Sequence, residues 1–221
     1  MKRIPEPELM EDPEQALAYG RADFEEPHSN FIKLLLVSCP LHGGIGAVLD
    51  LGCGTGDITF RVARAFPEAV VDAVDGSEAM LYYAREGLVK SREFGERIRF
   101  IHSKLEDFEP GKSYDLIVSN SLLHHIPDPA RFWRVIKRLS DRGTFVFIMD
   151  LLRPPSTDEA RRLVEAYSPG EPGILKRDFY NSLLASFEID EVRTQLHEAG
   201  LGSFTVERAS DRHLIVYGMR G

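Results

Sequence analysis

Ala47-Val48-Leu49-Asp50-Leu51-Gly52-Cys53-Gly54-Thr55-Gly56-Asp57 is the stretch on which the reading of this chain turns. Ala47 to Leu51 is apolar apart from Asp50 and has glycine on both sides, the pattern of a short buried strand. Helical spacing starts at Asp57, with Ile58, Val62, Ala65 and Phe66 on one face, and Pro67 stops it. The glycines between strand and helix let the backbone turn sharply and approach a ligand that a Cβ would exclude.

The same alternation continues outward. Val70 to Asp75 reads as a second strand, and Ser77-Glu78-Ala79-Met80 opens a helix with Ser77 as its cap. Ile98 to His102, Tyr114 to Asn120 and Gly143 to Asp150 read as three more strands, with a helix from Asp128 to Leu139 before the last. Apolar strands separated by helices predict a doubly wound, Rossmann-like α/β sheet covered on both faces. Ser203 to Ala209 and His213 to Met219, joined by a short turn, predict an antiparallel hairpin at the sheet edge. That makes a seven-stranded, mostly parallel sheet in one domain. Its parts are a helical N-terminal segment (1–45), a cofactor-binding core (46–150), a helical segment that could cover an acceptor site (151–200) and the hairpin (201–221).

The net charge is −8, and no stretch concentrates lysine or arginine, which disfavours a nucleic-acid partner. The start, Met1 to Glu6, lacks the apolar core of a signal peptide, and the apolar run Phe31 to Cys39 is too short to span a bilayer. A cytoplasmic protein that does not enter membranes is expected. Cys39 and Cys53 are the only cysteines, so neither a disulfide framework nor a zinc cluster is expected.

A glycine loop of this kind serves a dinucleotide, a flavin or S-adenosylmethionine. In the dinucleotide fingerprint G-x-G-x-x-G, the third glycine would fall at Asp57, whose carboxylate opposes a pyrophosphate. Asp75 ends the second strand about twenty residues beyond the loop, where an acid accepts hydrogen bonds from ribose hydroxyls. Asp50 is a charge in an apolar strand and needs a partner. The ammonium of a methionine moiety would provide one, directly or through a water.

With these motifs in order from Val48 to Leu151, the chain resembles the class I S-adenosylmethionine-dependent methyltransferase superfamily, in particular its type 11 group. Val48 to Gly56 is similar to that superfamily's first motif, and Val74-Asp75-Gly76-Ser77-Glu78-Ala79-Met80-Leu81 to its second. The resemblance implies cofactor contacts at Asp50, Gly52, Cys53, Gly54, Gly56, Asp75 and Gly76, with Met80 beside the adenine. Tyr114 to Asn120 and Leu122-Leu123-His124-His125-Ile126 resemble the fourth-strand segment, which implies Asn120 near the methionine part. A tyrosine in the N-terminal segment, here Tyr19, closes over the cofactor in similar proteins. One departure concerns the acid that often follows the third strand. Ser103 stands near that position, so adenine contacts are expected from Ser103, Lys104 and Leu105. The implied cofactor is S-adenosyl-L-methionine, with S-adenosyl-L-homocysteine as product and a small molecule as acceptor.

Methyl transfer needs alignment and exclusion of water, and a base only where the acceptor must lose a proton. Candidates lie where the fourth and fifth strands end: His124 as a base, and Asp150 and Arg153 as groups that bind an acceptor or pair with each other. Asp211-Arg212-His213 is a further polar cluster able to reach the acceptor side, although an exposed turn suits Asp211 better. Neighbouring histidines rarely point at one ion, so no metal is expected. Other readings of the same residues are a non-catalytic binder of the sulfonium, other group transfer on this fold, and a nicotinamide oxidoreductase.

Overall fold

The apolar runs become β1 (Ala47–Leu51), β2 (Val70–Asp75), β3 (Ile98–His102), β4 (Leu116–Asn120), β5 (Phe145–Leu151), β6 (Thr205–Arg208) and β7 (His213–Met219) of one sheet. Their order is β3-β2-β1-β4-β5-β7-β6. The first five run parallel, and β7 lies antiparallel between β5 and β6. The computed structural model describes residues 1–6, 10–41 and 44–221. Residues 7–9 and 42–43, inside the expected N-terminal helical segment, lie outside the described residues.

Strand periodicity sorts the core into two layers. Leu49, Leu51, Ile117, Val146 and Ile148 face one layer with Phe132, Trp133 and Ile136 of α5 (Pro129–Leu139) and Leu196 of α8 (Ile189–Glu198). Val48, Leu116, Val118 and Phe147 face the other, with Phe31 and Leu35 of α2 (Glu25–Ser38) and Val62 of α3 (Asp57–Ala65). Every residue of β5 is buried, as a strand with helices on both faces requires. The remaining helices are α1 (Pro13–Arg21), α4 (Glu78–Lys90), α6 (Thr157–Tyr167) and α7 (Gly173–Ala185). Ser77 caps α4 by accepting from the Met80 amide, and Asp128 caps α5 with Pro129 in its first turn.

Three strands start later than their sequence predicts, β6 at Thr205 and also β4 and β5. The Asp115 carboxylate accepts from the amides of Gly46 and Ala47 at 2.8 and 2.9 Å, so β4 begins at Leu116. Gly143 turns with φ +92°, and β5 begins only at Phe145. Among the described residues no helix is long and apolar enough to cross a membrane.

Because β1 sits between β2 and β4, the sheet reverses its winding there. Ligands of open α/β sheets bind at the carboxyl ends of the strands beside such a point.

Candidate active site

A cavity of about 920 Å³ opens at that reversal. Its first half is built by the glycine loop. The amides of Gly52 and Cys53 donate to the Val74 carbonyl at 2.8 and 3.1 Å, which ties the loop to β2. Gly52, Cys53 and Gly54 line the cavity. Gly54 has φ +52°, a left-handed conformation that disfavours any Cβ. Gly56 does different work from that expected. A Cβ there would lie 2.8 Å from the Phe100 ring, so Gly56 permits close packing behind the loop and lies outside the cavity lining. Burial pushes the Cys53 thiol well up, which leaves it an uncharged wall residue.

Asp75 holds this loop as well as facing the cavity. Its Oδ2 accepts from the Gly54 amide and its Oδ1 from the Ser77 amide, both at 2.8 Å. Burial raises its pKa and those donors restrain the rise. Each oxygen keeps a lone pair for a ligand hydroxyl. Gly76, Met80 and Tyr19 also line the cavity, with the Tyr19 ring 5.5 Å from Phe24. Lys104 and Leu105 continue the wall, whereas the Ser103 hydroxyl turns aside and donates to the Lys104 carbonyl at 2.9 Å. The expectation for Ser103 is therefore corrected: its hydroxyl does not face the cavity, whose wall here is Lys104 and Leu105.

Asp50 is almost wholly buried, and its Oδ2 accepts from the Thr59 hydroxyl at 2.6 Å. Burial lifts its pKa to about 7. Among the described residues no basic side chain forms an ion pair with it. The Asn120 Oδ1 is buried without a hydrogen-bond donor. Next to it, Ser121 has φ +54°, the one positive φ among the described non-glycine residues. Strained backbone of this kind concentrates at functional sites. A ligand that carries an ammonium and hydroxyls supplies what Asp50, Asn120 and Asp75 lack, so these residues fit S-adenosylmethionine. A pyrophosphate would meet their carboxylates. The nearby Asp57 is already paired with His28 at 2.6 Å and Arg61 at 2.8 Å.

The second half is assembled from distant segments. The 3-10 turn Leu123–His125 places His124 on the cavity wall, with its Nδ1 2.6 Å from Asp150 Oδ1. Asp150 is buried behind that ring, and its other oxygen accepts from the Leu123 amide at 2.7 Å. Burial opposes charge on His124, but Asp150 and Glu6 outweigh it and raise the pKa. Glu6, which the sequence did not single out, lies 3.4 Å from Nε2 of His124. Asp150 thus positions His124 and does not face an acceptor. The expectation for Arg153 is overturned more fully. Its guanidinium reaches Glu188 and Glu191, each at 2.8 Å, which fastens β5 to the start of α8 outside the cavity lining.

Tyr167, Leu175 and Phe179 of α6 and α7 close this half, together with Arg212 and His213. The Arg212 guanidinium lies 3.3 Å from the Tyr167 ring centroid and pairs with Glu26 at 2.8 Å. Burial lowers the His213 pKa to about 4, so it faces the cavity as a neutral ring. Asp211 stays exposed and accepts from the Tyr167 hydroxyl at 2.7 Å. The α8 helix packs on the core and does not cover the cavity.

Residues 45–166, more than half of the chain, match the methyltransferase domain family. The trans-aconitate 2-methyltransferase of Methylobacterium radiotolerans is 33% identical over 190 residues, covering 79% of this chain and 70% of that one. The tRNA1(Val) (adenine(37)-N6)-methyltransferase of Pedobacter heparinus is 36% identical over 122 residues, 47% of this chain, and the match spans about half (52%) of that relative's length. A crystal structure of a SAM dependent methyltransferase from Aquifex aeolicus has a TM-score of 0.67 at 20% identity, covering 94% of this chain and 98% of that one, and has the same fold. With the family match over more than half of the chain and the Methylobacterium radiotolerans relative, the chain belongs to the class I S-adenosylmethionine-dependent methyltransferase superfamily.

Proposed function

We propose that the chain transfers a methyl group from S-adenosylmethionine to a small-molecule acceptor and releases S-adenosylhomocysteine. The observation that carries this reading is the continuity of one cavity from the carboxylate-lined glycine loop to the Asp150–His124 pair. When bound, the donor supplies a methyl on a positively charged sulfur and leaves as a neutral thioether. Asp75 and Gly76 meet its ribose, Met80 and the Lys104–Leu105 segment its adenine, and Asp50 and Asn120 its ammonium. Gly52, Cys53 and Gly54 bring the backbone against it, and Tyr19 covers it.

The acceptor occupies the half walled by Tyr167, Phe179 and His213. Holding the acceptor there aligns the two reactants, the main requirement of this displacement. Where the acceptor carries a proton, Nε2 of His124 takes it while Nδ1 stays directed at Asp150. The relatives' named acceptors range from trans-aconitate to a tRNA adenine. The net charge of −8 and the apolar side chains of Leu175 and Phe179 in the second half favour a small molecule for this chain.

Calorimetry with S-adenosylmethionine, S-adenosylhomocysteine and NAD tests the donor, and release of S-adenosylhomocysteine across a panel of metabolites tests the transfer. Binding of NAD without the sulfonium would overturn the first. Release driven by tRNA and by no metabolite would overturn the choice of acceptor.

A further inference from the structure

His124 and His125 line the cavity, and Glu6, which lies outside that lining, meets both rings. Glu6 Oε1 lies 3.4 Å from Nε2 of His124 and 3.3 Å from Nδ1 of His125. All three atoms fall within 4.8 Å of one another. Around a tetrahedral zinc ion with bonds of about 2.0–2.1 Å, neighbouring ligand atoms stand about 3.3 Å apart. Two of the three separations already match that geometry.

Consecutive histidines diverge on a strand or a regular helix. Here the tight 3-10 turn brings their ring centroids to 4.2 Å with the planes 34° apart. The Glu6 side chain is 10% exposed, and its Oε1 is buried without a hydrogen-bond donor. The Glu6 charge is attracted by the His124 ring and its carboxylate bonds the Ser182 side chain, and a cation between the two rings would complete that neutralisation. Behind the site, the Asp150 carboxylate on Nδ1 of His124 is the partner that fixes the tautomer and orientation of a metal-binding imidazole.

The strap that carries Glu6 is docked on this same turn. Arg3 Nη2 donates to the carbonyls of His124 and Ile126 at 2.9 and 3.1 Å, and the Ile4 amide donates to the Leu184 carbonyl at 2.9 Å. The Arg3 guanidinium and the Ile4 amide thus hold the strap against the turn that carries the two rings and against the neighbouring helix.

We propose that Glu6, His124 and His125 bind one divalent transition-metal ion of the zinc type, whose open coordination position faces the cavity and takes an oxygen of the acceptor. Two imidazoles and one carboxylate suit zinc, whereas magnesium demands an octahedral, oxygen-rich shell. The proposal rests on the reading of this half of the cavity as the acceptor site. With the ion in place, Nε2 of His124 is a ligand. Lowering the pKa of a bound acceptor hydroxyl then falls to the metal. The acceptors selected would be those with a carboxylate or hydroxyl beside the methylated atom.

Cobalt(II) titration of the chelator-stripped full chain tests this, followed by visible absorption and equilibrium dialysis, with S-adenosylhomocysteine calorimetry alongside. The expected result is one cobalt per chain with the intense bands of a four- or five-coordinate site, displaced by zinc. Glu6→Gln and His125→Gln should each weaken cobalt binding by at least about 10-fold while S-adenosylhomocysteine binding is kept. No saturable uptake, a pale octahedral spectrum, or uptake indifferent to both substitutions would overturn the metal site. Metal failure with S-adenosylhomocysteine still bound refutes this site alone, whereas loss of S-adenosylhomocysteine binding by the unaltered chain refutes the donor reading alone.

Discussion

The two halves of the cavity are built differently. The donor half comes largely from consecutive residues at the ends of β1 and β2, and much of it is backbone held by backbone. The acceptor half draws on the turn after β4, two helices beyond β5 and the β6–β7 turn, and consists mostly of side chains. A backbone site recognises what every member of a superfamily shares, since few substitutions alter it. A side-chain site on scattered segments can be rebuilt without disturbing the sheet.

If that division holds, damage to each half should show in a different measurement. Gly54→Val forces a β-branched residue into a left-handed position beside Met80. It should weaken S-adenosylhomocysteine binding by about 100-fold or more, near 2.7 kcal/mol, as read by calorimetry. His124→Ala should lower turnover by about 100-fold with the better acceptors. Its donor affinity should stay within about 3-fold of the unaltered chain, under 1 kcal/mol. A comparable loss of donor binding in His124→Ala would break the comparison.

Asp150→Asn should lower turnover by a similar or smaller factor and move the acid limb of the pH–rate profile downward. In the metal-free chain, with Asp150 ionised, the His124 pKa is raised, so activity through a His124 base falls as pH drops through that raised value. An unmoved acid limb would mean that His124 is not the titrating group.

Asp50 sharpens the donor side. Its folded pKa is about 7, above the ordinary carboxylate value, so its contribution to stability is present below about pH 4 and lost as pH rises through about 7. The ligand-free chain should therefore melt at progressively lower temperature across that window, and Asp50→Asn should flatten the slope. Donor affinity should rise over the same window, because the ionised carboxylate is the form that pairs with an ammonium. The smallest effect is expected from Ser103→Ala, whose hydroxyl is turned away from the cavity. Donor binding should change by less than about 2-fold, well under 1 kcal/mol.

Much of the donor half was legible because its determinants are local. Gly52 to Gly56 must turn within five residues, and Asp75 reaches the loop because β2 lies next to β1. Neither feature depends on how remote segments pack. The reading erred where a side chain's direction mattered. Ser103 sits at the expected place but donates to its neighbour's carbonyl, and Gly56 serves packing against Phe100. Arg153 looked like an acceptor group because it follows β5, yet α8 supplies Glu188 and Glu191 to take it.

By itself, then, the sequence determined the doubly wound sheet, with its glycine turn between the first strand and the helix that follows. Strand alternation, helix spacing and glycine conformations all act over a few residues. The tertiary structure alone decided that Asp150 stands behind His124, that Glu6 meets the two neighbouring histidines, and that Arg212 lies over Tyr167. These contacts join residues from 26 to more than 100 positions apart, where the partner is chosen by the packing of whole elements and leaves no periodic trace in the chain.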